Sequence, residues 1–335
     1  MKAIVIEKHG GSDVLEVKDV KEPELPSGNV LVRVKACALN HLDVFVRNGI
    51  PGVTLPHILG SDVSGIIEKV GKNVKNAKAG EKVVVNPGVS CRSCAQCKNN
   101  DEPLCKEYKI LGENINGGYA ELISVPAENV VKAPSGLSFE ELASLPLALI
   151  TSIRLLRRAG LRKGQTILVI GAGGGVSIMA IQVAKAIGAK VIVFSTNDEK
   201  LKAAKGLGTD DVTSDEEYDK VMKGIGGVDA VFDSVGEKTF MRSLKSLRKN
   251  GVLVTCGATS GPKAEIDIRH IFWKQLTVIG STMGGRNDLK EGLKFVEAGK
   301  VRPVIAKTFP MERAGEAHDL MESGKFFGKI VLKIS

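Results

Sequence analysis

Aromatic side chains are scarce in this sequence, at 4% of residues with a single tryptophan, and there are only five histidines. A protein that stacks nucleic-acid bases on aromatic platforms is therefore not expected, even though the formal net charge is +9. The lysines and arginines are interleaved with acids, which suits a solvated surface that also attracts phosphorylated small molecules. Long apolar runs are missing as well. None approaches the ~18 residues of a membrane span. The opening Met1-Lys2-Ala3-Ile4-Val5-Ile6 meets Glu7 and Lys8 too soon for the core of an export signal. The expected location is the cytoplasm, and the expected partner is a small molecule rather than a nucleic acid or a membrane.

What is present has the balance of a soluble globular protein. At 335 residues the chain exceeds the roughly 250–300 at which a single core stops growing, so two domains are expected. Residues 1–130 read as short strands broken by turns: 3–7, 29–36, 64–70, 82–86 and 120–125. From Ser138, an N-cap followed by the first-turn acids Glu140 and Glu141, a helical pattern runs to about Ala159. Buried strands then alternate with helices: 166–170, 176–187, 190–194, 199–207, 230–233, 238–247, 251–255 and 276–280. That alternation marks a doubly wound parallel sheet, so the fold class is α/β. A helix at 289–298, a strand-like 303–309, a helix near 311–322 and a last strand 329–334 follow, the last expected to return to the first domain. The domain reading is 1–147 with 288–335 as a β-rich unit, and 148–287 as the parallel-sheet unit.

The turn after the first strand of that sheet reads Val169-Ile170-Gly171-Ala172-Gly173-Gly174-Gly175-Val176-Ser177 and opens a helix. Glycines there let the backbone approach a pyrophosphate, while the helix N-terminus offers free N–H groups and partial positive charge. Gly171, Gly173, Gly174, Gly175 and Val176 are the expected dinucleotide contacts. Ser177 stands where a third glycine is common, which loosens the helix–strand packing. The second strand ends at Ser195, Thr196 and Asn197, with Lys200 just beyond. Three groups that donate to a phosphate and a lysine that neutralises it favour NADP over NAD, with Asp198 and Glu199 read as first-turn dipole partners.

Four of the six cysteines crowd into fifteen residues, Cys91-x2-Cys94-x2-Cys97-x7-Cys105. With no export signal this favours metal over disulfides. Four thiolates saturate a tetrahedral Zn²⁺ and leave no place for substrate, so one structural zinc is expected; free thiols or an iron–sulfur cluster are the alternatives. Cys37 and Cys256 read as buried thiols.

A β-rich first half carrying this cysteine lobe at about 88–110, then a Rossmann-like half and a returning tail, resembles the medium-chain dehydrogenase/reductase family over essentially the whole chain. The resemblance implies a GroES-like N-terminal domain and a Rossmann cofactor domain. Leu59-Gly60-Ser61-Asp62-Val63-Ser64-Gly65 resembles the Gly-His-Glu segment of zinc alcohol dehydrogenases. Gly171–Ser177 is similar to the family's Gly-Ala-x-Gly-Gly-Val-Gly turn, and Phe232-Asp233-Ser234-Val235-Gly236 and Gly257-Ala258 to the strand ends that border the cofactor. The resemblance assigns Ser234, Gly257, Ala258, Ser281 and Lys329 to the cofactor site, and implies a homodimer or homotetramer. Where the family holds a catalytic zinc, this chain has Asn40, Ser61, Asp62 and about Leu147, of which Asp62 alone is a competent ligand. Ala38-Leu39-Asn40-His41-Leu42-Asp43 instead resembles the zinc-independent quinone oxidoreductase branch.

The expected activity is NADPH-dependent hydride transfer to a quinone, enone or related activated carbonyl without a catalytic zinc. Asn40 and Thr151 are expected on the nicotinamide ribose and carboxamide, with His41 or Asp43 orienting groups or relaying a proton. One alternative is an alcohol dehydrogenase with a non-standard metal site built from His41, His57, Asp43 and Asp62. Another is a dinucleotide-binding protein without catalysis.

Overall fold

The computed structural model describes residues 1–334 and divides into two compact units. Of these, the first comprises residues 1–147, 284–290 and 303–334, and the second residues 148–283 and 291–302.

In the first unit, β1 (Lys2–Val5) and β2 (Glu16–Asp19) pair antiparallel. They are followed by β3 (Asn29–Ala38), α1 (His41–Asn48), β4 (Asp62–Val70), β5 (Lys82–Val85), β6 (Gly88–Val89), α2 (Ala95–Lys98), β7 (Lys109–Ile110), β8 (Leu122–Pro126), β9 (Val130–Lys132) and α3 (Phe139–Ala143). The second unit takes in most of α4 (Pro146–Arg158), then β10 (Thr166–Ile170), α5 (Gly175–Ile187), β11 (Lys190–Phe194), α6 (Asp198–Lys205), β12 (Asp211–Thr213), α7 (Tyr218–Ile225), β13 (Val228–Asp233), α8 (Phe240–Ser246), β14 (Leu247–Thr255), α9 (Arg269–Lys274) and β15 (Thr277–Gly280). The chain ends with α10 (Arg286–Glu297), β16 (Ile305–Pro310), α11 (Ala314–Ser323) and β17 (Lys329–Lys333).

The six-stranded sheet of the second unit has the order β12-β11-β10-β13-β14-β15, every pair parallel. Strands such as Ile167–Ile170 and Val191–Phe194 are buried throughout, as a sheet covered on both faces requires. The seven-stranded sheet of the first unit runs β16-β17-β3-β4-β5-β9, with β8 also on β3. The final strand returns as expected: Val331, Leu332 and Lys333 pair with Ala38, Cys37 and Ala36 of β3. This pairing brings Lys329 to the end of β3, where the site is built.

Several elements differ from the sequence reading. The helix expected from Ser138 to about Ala159 is two helices, because the α3 backbone stops at Ser144 and Pro146, which has no N–H to give, opens α4. The Ser138 cap itself is as expected: Glu141 N–H donates to Ser138 Oγ at 3.1 Å, and Ser138 N–H donates to the Glu141 carboxylate at 2.7 Å. Neither β12 nor α7 is visible in the sequence pattern, and α1 falls where no helix was expected. The domain reading kept 288–335 whole, whereas residues 291–302 belong with the second unit. There Gly292 lies against Leu149, and the Gln182 side chain pairs with both the N–H and the carbonyl of Arg302. No helix among the described residues is long and apolar enough to cross a membrane.

Candidate functional site

The chemistry-bearing residues of the first unit meet where β3 passes into α1. Asn40 is the N-cap of α1, and its N–H donates to Asp43 Oδ2 at 2.7 Å, which closes the first turn. Asp43 is fully buried, and its other oxygen accepts the N–H of Gly60 at 2.9 Å. Gly60 has φ +99°, and a Cβ there would lie 2.4 Å from the Tyr119 ring and 2.8 Å from Cys37 Sγ, so only glycine fits. Burial pushes the Asp43 carboxyl up to about 7, against the opposing pull of the Asn40 N–H, the Lys329 charge and the Gly60 N–H.

Asp62, the first residue of β4, is fully buried beside it. Its Oδ1 accepts the N–H of Leu147 at 2.6 Å, in the first turn of α4, where the helix dipole favours an anion. Its Oδ2 accepts from Asn40 Nδ2 at 3.0 Å and from Lys329 Nζ at 2.8 Å. The Lys329 ammonium, 3% exposed, also donates to the Leu39 carbonyl and to Asn40 Oδ1, each at 2.6 Å. Three protons therefore meet three acceptors, and the Asn40 amide is oriented by having its oxygen on a cation and its nitrogen on an anion. Ser61 turns away, its hydroxyl donating to the Leu111 carbonyl at 2.7 Å.

His41 is exposed at the start of α1 and lies outside this cluster. His57 is buried elsewhere in the first unit, and its Nε2 has no partner among the described residues. His41, His57, Asp43 and Asp62 are thus not gathered into one donor set. Among the described residues the one group of three or more His, Cys, Asp or Glu donors within reach of a single ion is Cys91, Cys94, Cys97 and Cys105. Their sulfurs lie within 4.8 Å of one another, with neighbours at 3.4 Å (Cys91 and Cys105), 3.5 Å (Cys94 and Cys97) and 3.9 Å (Cys91 and Cys97). A zinc ion with bonds of about 2.3 Å sits in a sulfur tetrahedron whose edges are about 3.8 Å, so this lobe has the dimensions of such a site. Cys37 is buried on β3, opposite Val63 of β4, and burial drives its thiol well above the ordinary range.

In the second unit Gly171, at φ +85°, turns the chain out of β10, and Gly174 caps α5 with open space where a Cβ would be. The Gly175 and Val176 N–H groups begin the helix. Lys200 reaches back over the turn: a Cβ on Gly173 would stand 2.8 Å from its Nζ. Ser195 Oγ accepts the N–H of Asn197 at 3.2 Å, and Asn197 caps α6 by accepting the Lys200 N–H at 2.9 Å. Asp198 and Glu199 occupy the first turn of α6, the dipole positions expected of them; Thr196 is exposed at the strand tip. Gly257 lets its segment pass the Ser234 carbonyl, which a Cβ would approach to 2.9 Å, and Ala258 closes on Gly236 in the same way. Ser281 extends β15, its N–H donating to the Thr255 carbonyl at 2.9 Å. Thr151 is buried on α4, and its hydroxyl has no partner among the described residues.

Four residues that sequence reasoning passed over are prominent here. Arg154 is a buried guanidinium that donates to Ser281 Oγ at 3.4 Å and to the Thr282 carbonyl at 3.0 Å. Arg47, Tyr119 and His318 are buried and polar, and lie far apart in sequence. No local motif marks them; a charged or polar residue on the apolar stripe of α1 or α11 was the one available signal.

Residues 26–135 match the alcohol dehydrogenase GroES-like domain, and residues 175–298 match the zinc-binding dehydrogenase domain. An alcohol dehydrogenase of Geobacillus stearothermophilus is 37% identical over the full length of both chains. An acryloyl-coenzyme A reductase of Sulfurisphaera tokodaii is 35% identical over 99% of this chain and all of the relative. A crystal structure of an NAD-dependent alcohol dehydrogenase superposes over the whole of both chains with a TM-score of 0.97 at 41% identity.

Proposed function

The chain belongs to the medium-chain dehydrogenase/reductase family and is an NAD(P)-dependent oxidoreductase, and from that premise we propose that it reduces a carbon–carbon double bond conjugated to a carbonyl, with NADPH and without a catalytic zinc. Quinones, enones and unsaturated thioesters share that electronic pattern, the last being the class named in the acryloyl-coenzyme A reductase relative. The observation that carries the reading is the Lys329 ammonium held by Asn40 Oδ1, Asp62 Oδ2 and the Leu39 carbonyl.

A catalytic metal does not fit these residues. Its ligand positions are Asn40, Ser61, Asp62 and Leu147, and the oxygens of Asn40 and Asp62 already surround a cation. Ser61 donates its proton away, and Leu147 presents an N–H rather than a donor pair. The cysteine lobe does fit one Zn²⁺, which would be saturated by sulfur and structural.

The reduced nicotinamide, when bound, supplies the hydride. The chain's own groups orient the reactants and stabilise the enolate charge that develops on the carbonyl oxygen. The second Asn40 amide proton and the unpartnered Thr151 hydroxyl are the donors we assign to the nicotinamide ribose and carboxamide. The helix N-terminus at Gly174 and the Lys200 ammonium suit a pyrophosphate. Ser195 and Asn197, with no acid at the strand tip, suit a ribose 2′-phosphate. In this reading Lys329 is an internal counter-charge rather than a cofactor ligand.

The test is a screen of NADPH oxidation against enones, quinones and unsaturated thioesters, before and after dialysis against a strong chelator. Turnover should survive chelation in folded protein, and ethanol oxidation should be weak. Ser195→Asp should lower the NADPH-to-NADH ratio of kcat/KM by about tenfold or more, since ~1.4 kcal/mol of repulsion is enough for that. Loss of turnover on chelation without unfolding, with rescue by Zn²⁺, would replace this reading with an alcohol dehydrogenase. That second reading is favoured by the name of the Geobacillus stearothermophilus relative, and two zinc ions per chain would support it.

The same reading includes a homodimer or homotetramer. Among the described residues β15 pairs with β14 alone and its outer edge has no partner strand, with Val278 exposed on it and Ile268, Phe272 and Trp273 exposed nearby on and beside α9. An open strand edge bordered by apolar side chains invites a second copy. Val278→Lys with Trp273→Glu should reduce the mass seen by light scattering to that of one chain; an unchanged mass would remove β15 from the interface.

A further inference from the structure

Asp233 ends β13 fully buried, and its carboxylate takes hydrogen bonds from four neutral donors. Oδ1 accepts the N–H of Val235 at 2.8 Å and that of Gly236 at 3.0 Å. Oδ2 accepts the hydroxyl of Thr239, the N-cap of α8, at 2.8 Å and that of Ser243 at 2.6 Å. One oxygen therefore folds the chain as it leaves the strand, and the other ties that turn to α8. The turn is joined in the same way to the segment after β14. Ser260 donates its N–H and its hydroxyl to the Val235 carbonyl, each at 2.8 Å, and its hydroxyl oxygen accepts the Lys238 N–H at 3.1 Å. The two segments touch at Gly236, with φ +89°, where a Cβ would lie 2.9 Å from Ala258 Cα.

β10 and β13 lie side by side, with β11 and β12 on one flank and β14 and β15 on the other. The strand order reverses between them, and in an open α/β sheet the ligand lies at that point, outside the carboxyl ends of the strands. The 234–236 turn leaves the carboxyl end of β13 as the glycine turn leaves that of β10. The two turns meet, since a Cβ on Gly171 would stand 3.6 Å from Val235 Cγ2. We propose that Asp233 is a positioning residue for the dinucleotide: by holding the Val235 and Gly236 N–H groups, it fixes residues 234–236 and 257–261 as the wall against which the cofactor binds. The inference rests on the assignment of Ser234, Gly257 and Ala258 to the cofactor site. An ionised carboxylate is among the groups that lose most on burial, and an apolar side chain fills a strand end without that loss. What the apolar side chain lacks is an acceptor for two consecutive N–H groups, and that is the work left to Asp233.

The test separates the turn from the stability of the unit that carries it. Dissociation constants for NADPH and NADH, read from nicotinamide fluorescence on binding, need no turnover, and thermal melts of the same samples report stability. Asp233→Ala leaves the Val235 and Gly236 N–H groups without their acceptor and should raise Kd by about tenfold, the equivalent of one hydrogen bond. Asp233→Asn keeps one oxygen for those two N–H groups, while its amide nitrogen donates to hydroxyls that rotate to accept, so Kd should stay within about threefold of wild type. Thr239→Val combined with Ser243→Ala takes both donors from the other oxygen and leaves the turn intact. Its melting temperature should fall by several degrees while Kd stays within about twofold. Should Asp233→Ala fail to fold, Asp233→Glu, which keeps the charge and displaces the oxygens by one methylene, carries the same expected rise in Kd.

A Kd in folded Asp233→Ala or Asp233→Glu that matches wild type overturns the proposal. So does a double variant whose Kd rises in step with its loss of stability, because binding would then follow the stability of the unit rather than the turn. An Asp233→Asn that binds as weakly as Asp233→Ala overturns it as well. A wild type that favours NADH defeats the choice of cofactor alone, and the series is then read with NADH; a wild type that turns over none of the substrates defeats the proposed reaction and leaves the binding series to judge Asp233.

Discussion

Lys329→Met lowers the stability of the chain by about 3–5 kcal/mol, the cost of breaking a buried ion pair and leaving one partner uncompensated. Asp62 would keep the Leu147 and Asn40 N–H bonds but lose its one cationic partner, while the Leu39 carbonyl and Asn40 Oδ1 would lose their donor. In thermal melts this corresponds to a fall of about 5–15 °C. Enone reduction should drop by about 100-fold, the scale on which small misplacements in a site act. Adding Asp62→Asn to Lys329→Met should recover much of the stability, because an amide can remain buried without a counter-charge, but not the turnover. A single variant that melts within about 1 °C of wild type would show that the pair does not hold the site together, and would leave Asn40 and Asp62 open to a metal.

The second large effect belongs to the cysteine lobe. Purified protein is expected to carry about one zinc per chain with four sulfur ligands, and Cys94→Ser should release most of it. The lobe between Cys91 and Cys105 contains only the single turn of α2 and a short 3₁₀ turn, with little apolar core of its own. A bound metal would therefore be its main source of order. The melting temperature should fall by several degrees while the KM for NADPH stays within about twofold. X-ray absorption showing nitrogen at the zinc, or metal-free protein with an unchanged melt, would end the assignment.

Much of the fold was legible because the signals were local. The strands 166–170 and 190–194 were read with the bounds the structure has, since unbroken buried runs between turn residues leave little room for another reading. The short polar-flanked β12 and the eight-residue α1 carried no comparable pattern. The helix from Ser138 was drawn too long because Pro146 was taken into its interior, although proline is best placed at a beginning. Within the site, Asn40, Asp43 and Asp62 were found by their sequence setting, and the four cysteines by their spacing. The bonds that define the cluster were out of reach. Lys329 is 267 residues from Asp62, His318 is 199 from Tyr119 and 271 from Arg47. No periodicity reports on such distances; β17 and α11 have to be folded against the first strands before those partners exist.

That last feature has a bearing on biosynthesis. On the ribosome β3, α1 and β4 emerge hundreds of residues before β17, so Asp62 would wait for that whole interval without the ammonium that compensates it. Strand pairing of Val331, Leu332 and Lys333 onto β3 delivers that charge only once β17 has followed. A nascent or truncated chain lacking β17 would hold a buried, uncompensated carboxylate at the heart of its first sheet. Such fragments should therefore remain loosely folded and open to proteolysis, so that the arrival of β17 and the completion of the site coincide.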